Sequence, residues 1–104
     1  MYVVQGKNIL DQRVEVSPSP AMRGQNTTIR YNGLLAKSGA SQMYIHYGYD
    51  NWKNTQTKDM QRDPDGSFVT TLPVQGTNII NFCFKDSANN WDNNSGWNWS
   101  TDIR

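Results

Sequence analysis

The chain is cut into short segments by turn signals, and that spacing limits what it can become. Gly24-Gln25-Asn26, Asn32-Gly33, Lys37-Ser38-Gly39-Ala40-Ser41, Asp63-Pro64-Asp65-Gly66 and Gln75-Gly76-Thr77 fall at short intervals. Each carries residues that favour tight backbone reversal. Between them lie runs of period two. Val14-Glu15-Val16 alternates, as does Thr27-Thr28-Ile29-Arg30-Tyr31 with Ile29 and Tyr31 on one face. Gln42-Met43-Tyr44-Ile45-His46-Tyr47-Gly48 is the clearest strand, with Met43, Ile45 and Tyr47 inward and Tyr44 and His46 outward. Phe68 to Val74 places Phe68, Thr70 and Leu72 on one face, and Asn78 to Lys85 places Ile80, Phe82 and Phe84 inward. No segment has an apolar repeat of 3.6. About seven short strands follow, which predicts an all-β fold: an antiparallel β-sandwich of immunoglobulin-like type.

Leu34-Leu35-Ala36 reads as a short apolar return strand, and Thr55 to Asp59 as another short strand, with Met60 plugging the core. Tyr49 to Asn54 reads as a polar loop. Ser100-Thr101-Asp102-Ile103 reads as the last strand. Residues 1–13 have little pattern and are either a linker end or a loosely docked N-terminal segment. Residues 14–104 form a single domain, in keeping with a length of 104 residues. Met1 to Gln5 lacks the features of a signal peptide, so the chain is either a domain of a larger protein or begins at an introduced Met1.

Composition narrows the function. Charged residues make up 18% and the formal net charge is +1, with no Lys/Arg cluster. No nucleic-acid partner is therefore expected. No apolar run reaches membrane-spanning length, so no membrane partner is expected either. The single cysteine, Cys83, lies within a strand and reads as an apolar filler. The acids fall mostly in turns, and Asp86 beside Asn89 and Asn90 reads as a turn former. No separated pair of carboxylates suggests a hydrolase cleft, and the one histidine accompanies no nucleophile elbow. The oxygens of Asp86, Asn89, Asn90, Asp92, Asn93 and Asn94 do not match an EF-hand loop. No catalytic residue, metal or other cofactor is expected.

The aromatic residues do point to a function. Three of the four tryptophans lie between Trp91 and Trp99, among asparagines, serines and a glycine. A polar, turn-forming run belongs on the surface, and indoles held there suit a ligand with a partly apolar, partly hydroxylated face, such as a sugar. If the strand of His46 and that of Phe82 share a sheet, His46, Trp52 and Trp91 converge. Trp99, next to the last strand, is assigned to the core, and Trp97 is left open.

These same segments resemble a known family. Ile45-His46-Tyr47-Gly48-Tyr49-Asp50-Asn51-Trp52 forms the motif HYGxxxW, and Phe84-Lys85-Asp86 with Trp91-Asp92-Asn93-Asn94 forms FKD followed by WDNN. Together with Thr28 to Gly33, they resemble the family 25 carbohydrate-binding modules, the starch-binding β-sandwich modules attached to bacterial amylases. The resemblance covers about Val14 to Ile103. It implies a non-catalytic module that binds starch, amylose and maltooligosaccharides on a platform of Trp52, Trp91 and His46. Asn90, Asn93, Asn94 and Lys85 are nearby polar candidates. It also implies a catalytic amylase domain in the same polypeptide and a secreted, extracellular protein. Two indoles set at an angle would follow the curve of an amylose helix, whereas cellulose would favour coplanar rings. Two alternatives stand beside this reading. One is an immunoglobulin-like protein-interaction or spacer domain of a secreted enzyme, and the other is a minimal hydrolase.

Overall fold

The computed structural model describes residues 8–9, 13–18, 20–94, 96 and 98–104. Among these residues nine strands and one short helix follow in the order β1 (Asn8–Ile9), β2 (Val14–Ser17), β3 (Asn26–Tyr31), α1 (Leu34–Lys37), β4 (Met43–Tyr49), β5 (Lys53–Arg62), β6 (Phe68–Pro73), β7 (Ile79–Asp86), β8 (Trp91–Asp92) and β9 (Trp99–Asp102). The strands pair antiparallel as β1-β2-β3-β6-β5-β4-β7, and β7 carries both β8 and β9 on its far edge. β5 is the seam of this ladder. It lies against β4 from Lys53 to Met60, then passes Gln61 and Arg62 to β6. The two ends approach each other where Ala21 bridges Ile103 in parallel. The result is an all-β sandwich that nearly closes. Among the described residues no helix is long and apolar enough to cross a membrane.

Burial follows the period of two. Ile29 and Tyr31 on β3, Met43, Ile45 and Tyr47 on β4, Phe68 and Leu72 on β6, and Ile80, Phe82 and Phe84 on β7 form the core, with Met60 of β5 beside them. Its aromatic centre joins the two layers. Tyr31 stacks on Phe84 at 4.2 Å between centroids, and Trp99 meets Phe84 edge-on at 5.4 Å. Such offset and edge contacts stabilise beyond their buried area. The guanidinium of Arg13 covers the outer side of the Trp99 ring at 5.0 Å.

The structure corrects three readings of the sequence. Leu34-Leu35-Ala36 is not a strand but most of α1, closed by Lys37 N–H to Gly33 O and Ser38 N–H to Leu34 O. Both edges of β3 are already occupied, by β2 and β6, so a returning strand has no free edge to join. The expected five-residue strand at Thr55–Asp59 is a ten-residue β5 whose side chains are exposed apart from Met60. Backbone pairing, with β4 as far as Met60 and then with β6, extends it without any apolar alternation. Trp91, expected in a loop, lies in β8 and pairs with Lys85. The two-residue strands β1 and β8 account for the excess over seven. Of the segment expected as an N-terminal linker, Asn8–Ile9 pairs with β2, while residues 1–7 and 10–12 lie outside the described residues. So does Trp97.

Trp99 is 5% exposed and contacts both rings of the core centre. Trp99→Ala is expected to cost about 3–5 kcal/mol of unfolding free energy, read by denaturant titration. A loss below about 1 kcal/mol would contradict this packing role.

Candidate functional site

The outer face of the β4–β7 pair gathers the exposed aromatic residues. Register sets His46 opposite Cys83 on β7 and Thr57 on β5, and Tyr44 opposite Lys85 and Asp59. The next pairing places Trp91 beside Lys85. Trp52 arrives from the reversal between β4 and β5. His46 lies 5.9 Å from Trp52 with its ring 21° from parallel, and 5.7 Å from Trp91 at 89°. The two indoles therefore stand steeply to one another around one imidazole. Trp91 is 49% exposed. His46 Nδ1 is 2.9 Å from Thr57 Oγ1, a bond that fixes the ring on the sheet.

Holding Trp52 there requires an unusual backbone. Asp50, Asn51, Trp52 and Asn54 all have positive φ, 66° at Trp52, a region that bulky residues seldom occupy. Three features impose it. Asn81 Oδ1 accepts the N–H groups of Asn51 and Trp52 at 3.1 and 3.2 Å. The Asp50 carboxylate accepts those of Thr77, Asn78 and Ile79. Gly48 leaves the necessary room, since a Cβ there would lie 2.9 Å from Trp52 Cα.

The polar candidates divide. Lys85 Nζ sits 5.5 Å from the Trp91 ring and 5.6 Å from that of Tyr44, and 3.4 Å from Asn89 Oδ1, at the edge of the aromatic cluster. Asn90 precedes Trp91 and donates from Nδ2 to Asp86 Oδ2 at 3.0 Å. Asn93 is exposed, with its Oδ1 accepting Gly96 N–H. Asn94 instead fastens the loop. Arg13 donates to its Oδ1 at 2.7 Å, and its Nδ2 donates to Asn98 O at 3.1 Å. Sequence reasoning set Tyr44 outward with His46 but did not name Tyr44, Thr57 or Asn81 among the candidate site residues. The alternation of β4 already places Tyr44 beside His46, but Thr57 and Asn81 enter only through strand pairing.

Asp86 forms a turn, as the sequence suggests. Its Oδ1 accepts Ala88 and Asn90 N–H, and its pKa is lowered chiefly by the Asn90 side chain. Asp92 accepts the buried Tyr31 hydroxyl at 2.5 Å. Among the described residues no group of three or more metal-ligating side chains forms. Burial raises the Cys83 thiol to about 11, so it is not a reactive thiolate at neutral pH.

With this geometry in place, comparison with known proteins gives a family. Residues 27–82 match the model of the starch/carbohydrate-binding module of family 53. The chain is 37% identical over 89 residues to an alpha-amylase of Clostridium acetobutylicum, an alignment covering 85% of this chain and 11% of that protein. The chain thus spans about a tenth of the relative's length. No solved structure matches. The chain belongs to the family 53 starch/carbohydrate-binding modules. It is a non-catalytic binding module. The HYGxxxW and FKD…WDNN motifs resemble family 25, whereas the matching model is that of family 53. The matched span contains His46, Trp52 and Asn81 and stops before Trp91.

Two outcomes follow from the Trp52 turn. Gly48→Ala is expected to displace it, shifting the Trp52 indole N–H resonance while that of Trp99 stays in place. An unmoved Trp52 resonance would contradict the steric argument. The Asp50 pKa lies below its ordinary 3.8 because the carboxylate accepts backbone N–H bonds, that of Asn78 foremost. A depressed folded-state pKa stabilises fully above the unfolded value, and the effect is lost as pH falls through the folded one. Asp50→Asn should therefore melt lower than wild type at neutral pH, with the gap closing below about pH 4. A constant gap across this range would contradict it.

Proposed function

We propose that the chain binds α-1,4-linked glucan on the His46–Trp52–Trp91 surface, in the manner of family 25, and that it holds an attached amylase catalytic region on starch outside the cell. The observation that carries this reading is the angle between the indoles. A pyranose presents a C–H face that stacks on an aromatic ring, and successive α-1,4 units turn relative to one another. Two rings set steeply around a shared imidazole suit such a curved chain, whereas a flat β-linked chain would favour coplanar rings. His46, with Nδ1 held by Thr57, offers Nε2 to a sugar hydroxyl. Lys85, Asn90 and Asn93 supply further polar groups at the rim, and Asn94 acts by keeping the loop in shape. The starch/carbohydrate-binding family and the amylase relative support the same ligand class. Backbone bonds to Asn81 and Asp50 preorganise the platform, which limits the entropy lost on binding.

Titration with maltooligosaccharides is expected to give a Kd between about 1 μM and 1 mM, changing little with ionic strength because the ligand is neutral. Trp52→Ala and Trp91→Ala should each weaken binding by at least about tenfold, roughly 1.4 kcal/mol. Their melting temperatures should stay close to wild type, since neither ring fills the core. His46→Ala should bind between these variants and wild type. Undiminished binding by folded Trp52→Ala would overturn the platform.

A further inference from the structure

Trp91 belongs to a second concavity that neither His46 nor Trp52 lines. A groove of about 590 Å³ lies between α1 with the loop after it and the turn joining β7 to β8. That volume is within the range of small-molecule sites, roughly 300–1,000 Å³. Leu34, Ser38 and Ser41 line one side, and Ser87, Asn90 and Trp91 the other. Leu34 is 65% exposed, an aliphatic surface open to solvent with no part in the core.

The two sides are tied together beneath the surface. Leu35 N–H donates to the Tyr31 hydroxyl at 3.1 Å, and that hydroxyl donates to Asp92 Oδ2 at 2.5 Å. One buried oxygen thus connects α1 to β8, next to Trp91. The chain reaches α1 past the same ring. A Cβ on Gly33 would fall 2.5 Å from Tyr31 Cε1.

The lining also selects a ligand chemistry. Among the described residues its only charged lining residue is Asp86, whose two oxygens are already engaged by Ala88 and Asn90. Nothing in that described lining attracts an anion, and the carboxylate repels one. What remains is an indole, two leucines with small aliphatic neighbours, serine hydroxyls and an asparagine whose Nδ2 is tied to Asp86. That set fits a neutral, polyhydroxylated ring.

We propose that this groove is an extension subsite for the glucosyl units of an α-1,4-glucan that continue past Trp91. The proposal rests on the platform reading. Leu34 meets a pyranose C–H face, and the serines with Asn90 meet the hydroxyls. The module therefore prefers longer chains over those that just cover the indoles.

The test titrates maltotriose and maltoheptaose into wild type, Leu34→Asp, Ser41→Trp and Trp52→Ala, with a melting curve for each. In wild type the longer sugar is expected to bind about tenfold more tightly. Leu34→Asp removes an exposed apolar wall and Ser41→Trp fills the groove. Both should bring the ratio of the two affinities to within about twofold. Trp52→Ala should weaken binding of both sugars. No gain with length in wild type, an unchanged ratio in both groove variants, or an equal loss for both sugars would overturn the subsite while leaving the platform standing. Wild-type binding of both sugars by Trp52→Ala would overturn the platform itself, and the subsite with it.

Discussion

The buried Tyr31 ring and its hydroxyl are the interaction on which most of this structure depends. The ring stacks on Phe84 and is met edge-on by Trp99, so one side chain of β3 joins its layer to β7 and β9. A tyrosine hydroxyl so deep needs hydrogen-bond partners. It accepts from Leu35 and donates to Asp92, which brings α1 and β8 to the core. Burial raises its pKa, and the Asp92 carboxylate raises it further, so the group stays a neutral donor. No phenylalanine would connect these four elements. β8 is two residues long and has little packing of its own, so this bond and its pairing with β7 fix the position of Trp91.

A second constraint acts at the other indole. Trp52 occupies a left-handed backbone conformation, which an L-residue of its size adopts only under external restraint. The restraint comes from β7 and the segment before it. Asn81 and residues 77–79 hold the turn through hydrogen bonds that involve backbone on one side or the other. The β4–β7 pairing that seats His46 thus also places the anchors for Trp52. The HYGxxxW spacing follows from this arrangement. The histidine faces out, the tyrosine in, the glycine admits the returning backbone, and the tryptophan stands on the reversal.

How far the sequence was legible follows from the range of each interaction. Period two is local, so the inward sets of β3, β4, β6 and β7 and the outward His46 were readable from residue types. The Asp63–Gly66 turn and the Asp86 turn were readable for the same reason. The helical form of Leu34-Leu35-Ala36 was not, because it depends on β3 having both edges occupied. β5 was read too short because paired backbone, and not apolar side chains, extends it. Convergence of the three aromatic residues was legible only as a condition on strand pairing, which the register of β4 on β7 meets. The work of Asn94 was hidden because its partner Arg13 lies 81 positions away.

The placement of the aromatic face also explains how a module with so small a core can present fixed rings. A loop site would have to order its side chains on binding, at about 0.5–1.5 kcal/mol for each immobilised group. Here His46 stands on β4, which is paired along both edges, and Trp91 on a strand paired to β7. The Lys85 ammonium lies against both Trp91 and Tyr44, so the indole has a neighbour on the sheet as well as through its backbone. Only Trp52 stands on a turn, and that turn carries the densest set of side chain to backbone bonds around the platform. The regular sheet thus supplies rigidity to two of the rings with one added bond each, Thr57 to the imidazole and Tyr31 to Asp92 beside Trp91. The concentrated hydrogen bonding occurs where the sheet ends and a left-handed backbone must be held.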